Sequence, residues 1–284
     1  MSKTRCGLFL LLAVIGVAVP FAGPAAAAPQ RVVSLDYCAD QFILKLADRD
    51  QILALSKDAT KNFSYMAKAA EGIPTVASRA EDVLALQPDL VVRSYGGGHN
   101  IRGLLQRAGV PMAQLVFSID FRSVNENAIT IAALLGHPER GVALAAEFAA
   151  RLAALQRPTA PPVETLYLTP GGVTAGPDTP VGRMFAAAGL QPYASSVRAW
   201  GPLPLEEMVL RKPELVAAAF FEQRSSRIAN WSSARHPVTR RQISDVPLAA
   251  IPGATTTCQG WFIADAIEQL AAAGRGVRTQ PAPP

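Results

Sequence analysis

Histidine and cysteine are both scarce, three of each in 284 residues. His99, His137 and His236 are too far apart in sequence to suggest a tetrahedral zinc cluster. Charge is thin as well, at 17% of residues and a net +5, and two of the basic residues, Lys3 and Arg5, stand at the very start. No dense Lys/Arg run occurs, so a nucleic-acid partner has no electrostatic footprint. The chain contains no G-x-x-x-x-G-K-[ST], G-x-S-x-G or H-E-x-x-H, and the run Gly96-Gly97-Gly98 lacks the Lys and Ser/Thr of a phosphate loop. Beyond the N-terminus no apolar run is long enough for a membrane span of about 20 residues. Aromatic residues make up only 7%, so where they fall is informative. Half of the residues are hydrophobic, which describes a folded chain with length enough for two domains.

The first 28 residues read as a secretory signal peptide. Lys3 and Arg5 precede an apolar stretch, Leu8 to Val19, and then the small residues Ala25 to Ala28. Cleavage is expected near Ala27 or Ala28, with no cysteine there for a lipid anchor, and the mature chain is expected in the periplasm. Cys6 leaves with the leader, so Cys38 and Cys258 remain in an oxidising compartment.

The mature chain alternates short apolar runs with helical patterns. Strands are expected at 31–35, 52–55, 73–76, 89–93 and 111–116, and helices at 39–47, 80–86 and 101–108. This alternation predicts a mostly parallel sheet with helices on its faces. A helix over 123–135 ends at Gly136, and Pro138 then opens a long helix that Pro158, Pro161 and Pro162 terminate. The β-α pattern resumes at 164–169, 181–188, 205–211, 214–218, 246–251 and 261–273. The fold class is therefore α/β: two Rossmann-like lobes with mostly parallel sheets, joined by a single long α-helix, with the ligand cleft between them. The boundaries are 29–137 for the first lobe, 138–157 for the linking helix, 158–274 for the second lobe and 275–284 for a disordered tail. An internal echo supports two lobes. EDVLALQPDLVV (81–92) and EEMVLRKPELVA (206–217) align on an acidic helix start, a proline, an acid and an apolar strand.

RVVSL with its following helix, AEDVLALQPDLVV, RAGVP at 107–111, LLGHPERGVALAAEF, PLPLEEMVLRKPELV and GWFIADAIEQLA together carry a resemblance. The chain resembles the cobalamin, ferric-siderophore and haem group of periplasmic binding proteins. The resemblance implies capture of a bulky metal-containing small molecule, a ferric siderophore or cobalamin ahead of haem, and delivery to an ABC importer in the inner membrane. It implies a monomer that needs no cofactor and catalyses nothing. It also implies that Glu81 and Glu206 meet arginines of the permease. Ser78 and Glu81 have capping-box spacing too, which would give Glu81 a structural role instead.

In open α/β sheets ligands bind beyond the carboxyl ends of the strands. The loops there are rich in aromatics, which stack on flat or macrocyclic ligands. Tyr37, Phe63, Tyr65, Tyr95, Trp200, Trp231 and Trp261 are accordingly the ligand candidates, with Gly97 for close backbone approach and His99 or Tyr95 as an axial ligand to haem. Arg93, Arg122, Arg198 and Arg224 are candidates for ligand carboxylates. Cys38 and Cys258 point toward the cleft from opposite lobes and leave three readings open: a disulfide across the lobes, a pair of thiolates on a soft metal, or two unrelated buried thiols. The alternative functions are a periplasmic enzyme with Cys38 as nucleophile, and a metal-carrying accessory protein on the same fold.

Overall fold

The computed structural model describes residues 27–155, 161–194, 196–221 and 232–279. The first lobe contains β1 (Val32–Ser34), α1 (Tyr37–Leu46), β2 (Ile52–Ser56), β3 (Thr75–Val76), α2 (Ala80–Ala85), β4 (Leu90–Arg93), α3 (Ile101–Arg107), β5 (Met112–Gln114) and α4 (Arg122–Leu134). Its five strands lie in the order β3-β2-β1-β4-β5, and every pair is parallel. Successive residues of a strand face opposite sides of a sheet. Here Val32, Leu90 and Val92 join one hydrophobic cluster, while Val33 and Val91 join another with α2 and α3. Both faces are thus covered, as a parallel sheet requires.

α5 (Pro138–Ala154) follows, with Pro138 at its first turn. Its 17 residues span about 25 Å. Gly141 sits where α5 crosses α4, and a Cβ there would come within 2.5 Å of the Ala128 carbonyl oxygen, so only glycine allows this approach.

The second lobe contains β6 (Val163–Leu168), β7 (Val173–Ala175), α6 (Pro180–Ala187), β8 (Leu190–Pro192), β9 (Trp200–Pro202), α7 (Leu205–Leu210), β10 (Leu215–Ala219), α8 (Pro237–Ile243), β11 (Leu248–Ile251) and α9 (Ile263–Thr279). Its main sheet has the order β11-β10-β6-β8, again all parallel, and β7 and β9 form a separate antiparallel ribbon. The two sheets repeat one plan. In each, the strand after the echoed helix pairs with the lobe's first strand, β4 with β1 and β10 with β6. The acid after the echoed proline has the same task in both copies. Asp89 accepts the backbone N–H groups of Gln30 and Arg31, at 2.7 and 2.9 Å, and Glu214 accepts that of Glu164 at 2.7 Å.

The last helix runs to Thr279, so residues 275–279 are helix where a tail was expected. Gly274 packs on Leu190 and the Arg278 guanidinium donates to the Gly189 carbonyl, which holds the final turns against α6 and β8. Residues 280–284 and 1–26, the latter most of the expected signal peptide, lie outside the described residues. No helix among the described residues is long and apolar enough to cross a membrane.

Candidate functional site

The carboxyl ends of the two sheets face a common cleft, and the first strand's turn organises the near side. Asp36, buried after β1, caps α1 by accepting the Ala39 N–H at 3.0 Å. Its other carboxylate oxygen accepts the N–H groups of Ser94, Tyr95 and Gly96 at 2.7–2.9 Å. One carboxylate therefore ties the turn after β4 to the start of α1 and sets Tyr95 beside Tyr37, ring centroids 5.9 Å apart at 73°. Gly96 is glycine because a Cβ would meet the Leu35 carbonyl oxygen at 2.1 Å. The close approach expected of this glycine run is thus to the protein's own backbone.

Two adjoining cavities occupy the cleft. The smaller, about 220 Å³, is lined by Tyr37, Cys38, Ser94, Tyr95 and Asn127 among others. The larger, about 460 Å³, is lined by Tyr167, Asp178, Trp200, Phe121 and Phe220 among others. They share Phe117, Thr257, Cys258 and Gln259. Phe121 and Phe220 have left-handed backbones, φ 65° and 67°. That conformation is strained for a bulky side chain and tends to accumulate where a site dictates it. Trp200 is 53% exposed and meets Tyr167 edge-on, centroids 6.0 Å apart. A third cavity, about 450 Å³ and lined by apolar residues, lies by α8 between Leu168, Ile243 and Ile251 and shares no residue with the other two.

Cys38 and Cys258 form a disulfide with Cα atoms 5.4 Å apart, joining α1 of the first lobe to the turn before α9 of the second. With the sulfurs bonded to each other, neither is a thiolate. This overturns the metal-ligand reading, the free-thiol reading and the Cys38 nucleophile together. Further bonds clasp the lobes. The Tyr65 hydroxyl donates to Asp265 at 2.7 Å, the Thr257 hydroxyl donates to the Phe63 carbonyl at 3.4 Å, and Arg151 of α5 bonds Asp265 and Glu268 of α9 at 2.6 and 2.7 Å.

The sequence profile of the periplasmic binding protein family matches residues 32–225. The chain belongs to that family. Two strains of Halobacterium salinarum carry similar proteins named cobalamin-binding protein, 29% identical over 222 residues, 75% of this chain and 60% of the relatives' own length. Among solved structures, the periplasmic heme-binding protein RhuT from Roseiflexus sp. RS-1 superposes with a TM-score of 0.69 at 23% identity, covering 87% of this chain and 98% of that one. The vitamin B12 binding protein BtuF of Vibrio cholerae superposes with a TM-score of 0.67 at 20% identity, covering 89% and 99%.

Within this family member, Tyr37, Tyr95, Cys38, Cys258 and Trp200, of the residues named from sequence, line the two cavities. Phe63 backs Tyr37 edge-on at 4.9 Å without lining either cavity. Others do not reach it. Trp261 is 6% exposed and packs on Phe42, Tyr65 and Phe262, plugging the seam between the lobes. Tyr65 stacks on Phe262 at 4.4 Å. Gly97 turns between Leu35 and Ile101. His99 is exposed and outside both cavities. Arg122 is exposed beside Asp120 and Glu126, at 3.8 and 3.9 Å. Arg93 donates to the Tyr95 carbonyl. Arg198 pairs with Asp178, a residue of the larger cavity, at 2.9 Å. Trp231 and Arg224 lie outside the described residues. Sequence reasoning passed over Phe117, Phe121, Phe220 and Gln259. Phe117 and Phe220 follow β5 and β10, so the strand-end rule applied to every strand finds them.

Proposed function

We propose that this protein captures a bulky, metal-containing small molecule in the periplasm, a corrinoid or ferric siderophore ahead of haem, and hands it to an ABC permease without chemically altering it. The observation that carries this reading is the cleft: two adjoining cavities between the lobes, walled by Tyr37, Tyr95, Phe117, Tyr167, Phe220 and Trp200. Aromatic walls with a few placed amides and hydroxyls suit a wide, flat ligand. Family membership supports the periplasm and a binding role. The relatives named cobalamin-binding proteins support a corrinoid.

Haem has less in its favour. Its carboxylates call for free cations, and Arg198 is paired with Asp178 of the larger cavity. Partial burial, the neighbouring Tyr37 phenol and the Asp36 carboxylate push the Tyr95 hydroxyl up, so the metal-free protein carries it protonated.

Docking would fall to Glu81 and Glu206. Both are exposed in the first turns of α2 and α7, the two echoed helices. The capping-box alternative loses support, because the Ser78 hydroxyl donates to the Leu35 carbonyl and leaves α2 without a side-chain cap. Beside Glu206 on α7, Val209 and Leu210 are 59% and 85% exposed, an apolar patch suited to a protein partner.

The visible spectrum of protein purified from a native periplasm tests the reading. The expected result is the banded absorption of a corrinoid or the charge-transfer band of a ferric chelate. A colourless protein from cells supplied with both, which also fails to take up either from solution, contradicts it.

A further inference from the structure

Gln259 stands on the floor of the cleft and lines both cavities. Its Oε1 accepts the Ser118 backbone N–H at 3.1 Å and the Ser123 hydroxyl at 3.0 Å, two groups from the opposite lobe. A backbone N–H can only donate, so the amide cannot be turned over without setting donor against donor. The Nε2 group is thereby fixed on the other side. It is buried there with no hydrogen-bond partner. Three other side-chain atoms among the described residues share that condition, on Arg93, Asn125 and Gln242, and none of those residues lines the cleft. The neighbouring amide, Asn127, is satisfied through both of its ends by the Val116 backbone.

A buried donor without an acceptor is costly, and an acceptor brought to it is correspondingly favoured. We propose that Gln259 is a specificity-determining residue whose Nε2 donates to a carbonyl or carboxylate on the rim of the bound ring compound, so that the protein selects ligands edged with hydrogen-bond acceptors. This rests on the cleft being the ligand site. The donor is buried beside the cavities that Gln259 lines. A ligand wide enough to span both cavities meets Phe117, which is 66% exposed and lines both. Gln259 also ties recognition to lobe geometry: the Ser118 backbone N–H of the first lobe holds the other end of the amide, and the Ser123 hydroxyl adds a second bond that the orientation does not depend on.

The test uses cobalamin, whose corrin rim carries amide carbonyls, titrated into the intact protein and into four variants. Gln259→Glu keeps an acceptor toward Ser118 and Ser123 but replaces the cleft-side donor with an acceptor. Gln259→Met removes both functions. Ser123→Ala loosens only the strut. Trp200→Ala reports on the cleft itself. Cobalamin affinity is expected to fall roughly tenfold or more in Gln259→Glu and Gln259→Met, as loss of a buried hydrogen bond implies, and to stay within about twofold in Ser123→Ala. A thermal melt of each variant separates loss of fold from loss of binding. Unchanged affinity in a folded Gln259→Glu, with Trp200→Ala weakened, overturns the donor role and leaves the cleft reading standing. Equal losses in Ser123→Ala and Gln259→Met, with Gln259→Glu unaffected, reduce Gln259 to a strut and overturn it too. Unchanged affinity in both Gln259→Glu and Trp200→Ala overturns the cleft reading along with it.

Discussion

Two aspartates four residues apart do different work under the cleft. Asp36 spends its carboxylate on four backbone donors and so aims Tyr37 and Tyr95. Asp40 is fully buried on α1 and receives Ser56, through its N–H at 3.0 Å and its hydroxyl at 2.6 Å. Burial pushes the Asp40 carboxyl up to about 6, opposed by bonds from Ser34 and Ser56 and assisted by Asp36. A raised carboxyl means that the folded chain holds a proton which the unfolded chain releases near its ordinary value. Asp40 therefore weakens the fold as pH rises from about 4 through 6, by as much as about 3 kcal/mol when both states are ionised. Asp40→Asn keeps the shape and can still bond Ser56. Its stability relative to the parent should rise between pH 4 and pH 7 by about that amount, read from urea unfolding at the two values. An equal difference at both pH values would mean that Asp40 does not titrate in this window.

At the level of elements, the strands and helices were legible because both sheets are buried on two faces. Runs such as LVVR and LVAAA have no polar alternation to obscure them. The echo was legible because Pro-acid-Leu-Val is a mechanical unit, with the acid clipping the start of the neighbouring strand. The β7–β9 ribbon was not, since three-residue strands carry too little pattern to stand out from loop. Nor was α8, a seven-residue helix whose Pro237 marks its start but whose basic run PVTRRQI lacks a long apolar stripe. The echoed helices α2 and α7 carry the docking expectation. Glu81→Arg with Glu206→Arg should leave ligand affinity and melting temperature near normal, because both side chains are exposed, and should weaken ligand-dependent ATPase stimulation by the cognate permease. Normal stimulation by the folded double variant would remove Glu81 and Glu206 from the interface.

On the scale of the whole molecule, the cleft is held in one geometry by bonds that cross between the lobes. The Cys38–Cys258 disulfide closes a span of 220 residues, and by loop-closure entropy such a link contributes about 2–5 kcal/mol. Trp261, Tyr65 and Phe262 fill the seam behind it, while Arg151 joins the linking helix to α9. This is why the site was only partly legible in the sequence. Strand-end loops identify which segments reach the cleft, but not which way a side chain turns within them. Trp261 and Cys258, three residues apart, face the seam and the cleft respectively. The central claim is that this disulfide-braced, aromatic cleft binds a bulky metal-containing small molecule. Its most direct test is a tryptophan-fluorescence titration of the intact protein with cobalamin, a ferric hydroxamate and haem in parallel, repeated with Trp200→Ala. The account predicts saturable one-to-one quenching by cobalamin or the ferric hydroxamate, lost or weakened at least tenfold in Trp200→Ala while the melting temperature holds. Absence of saturable binding by all three, or affinity indifferent to Trp200, would contradict it.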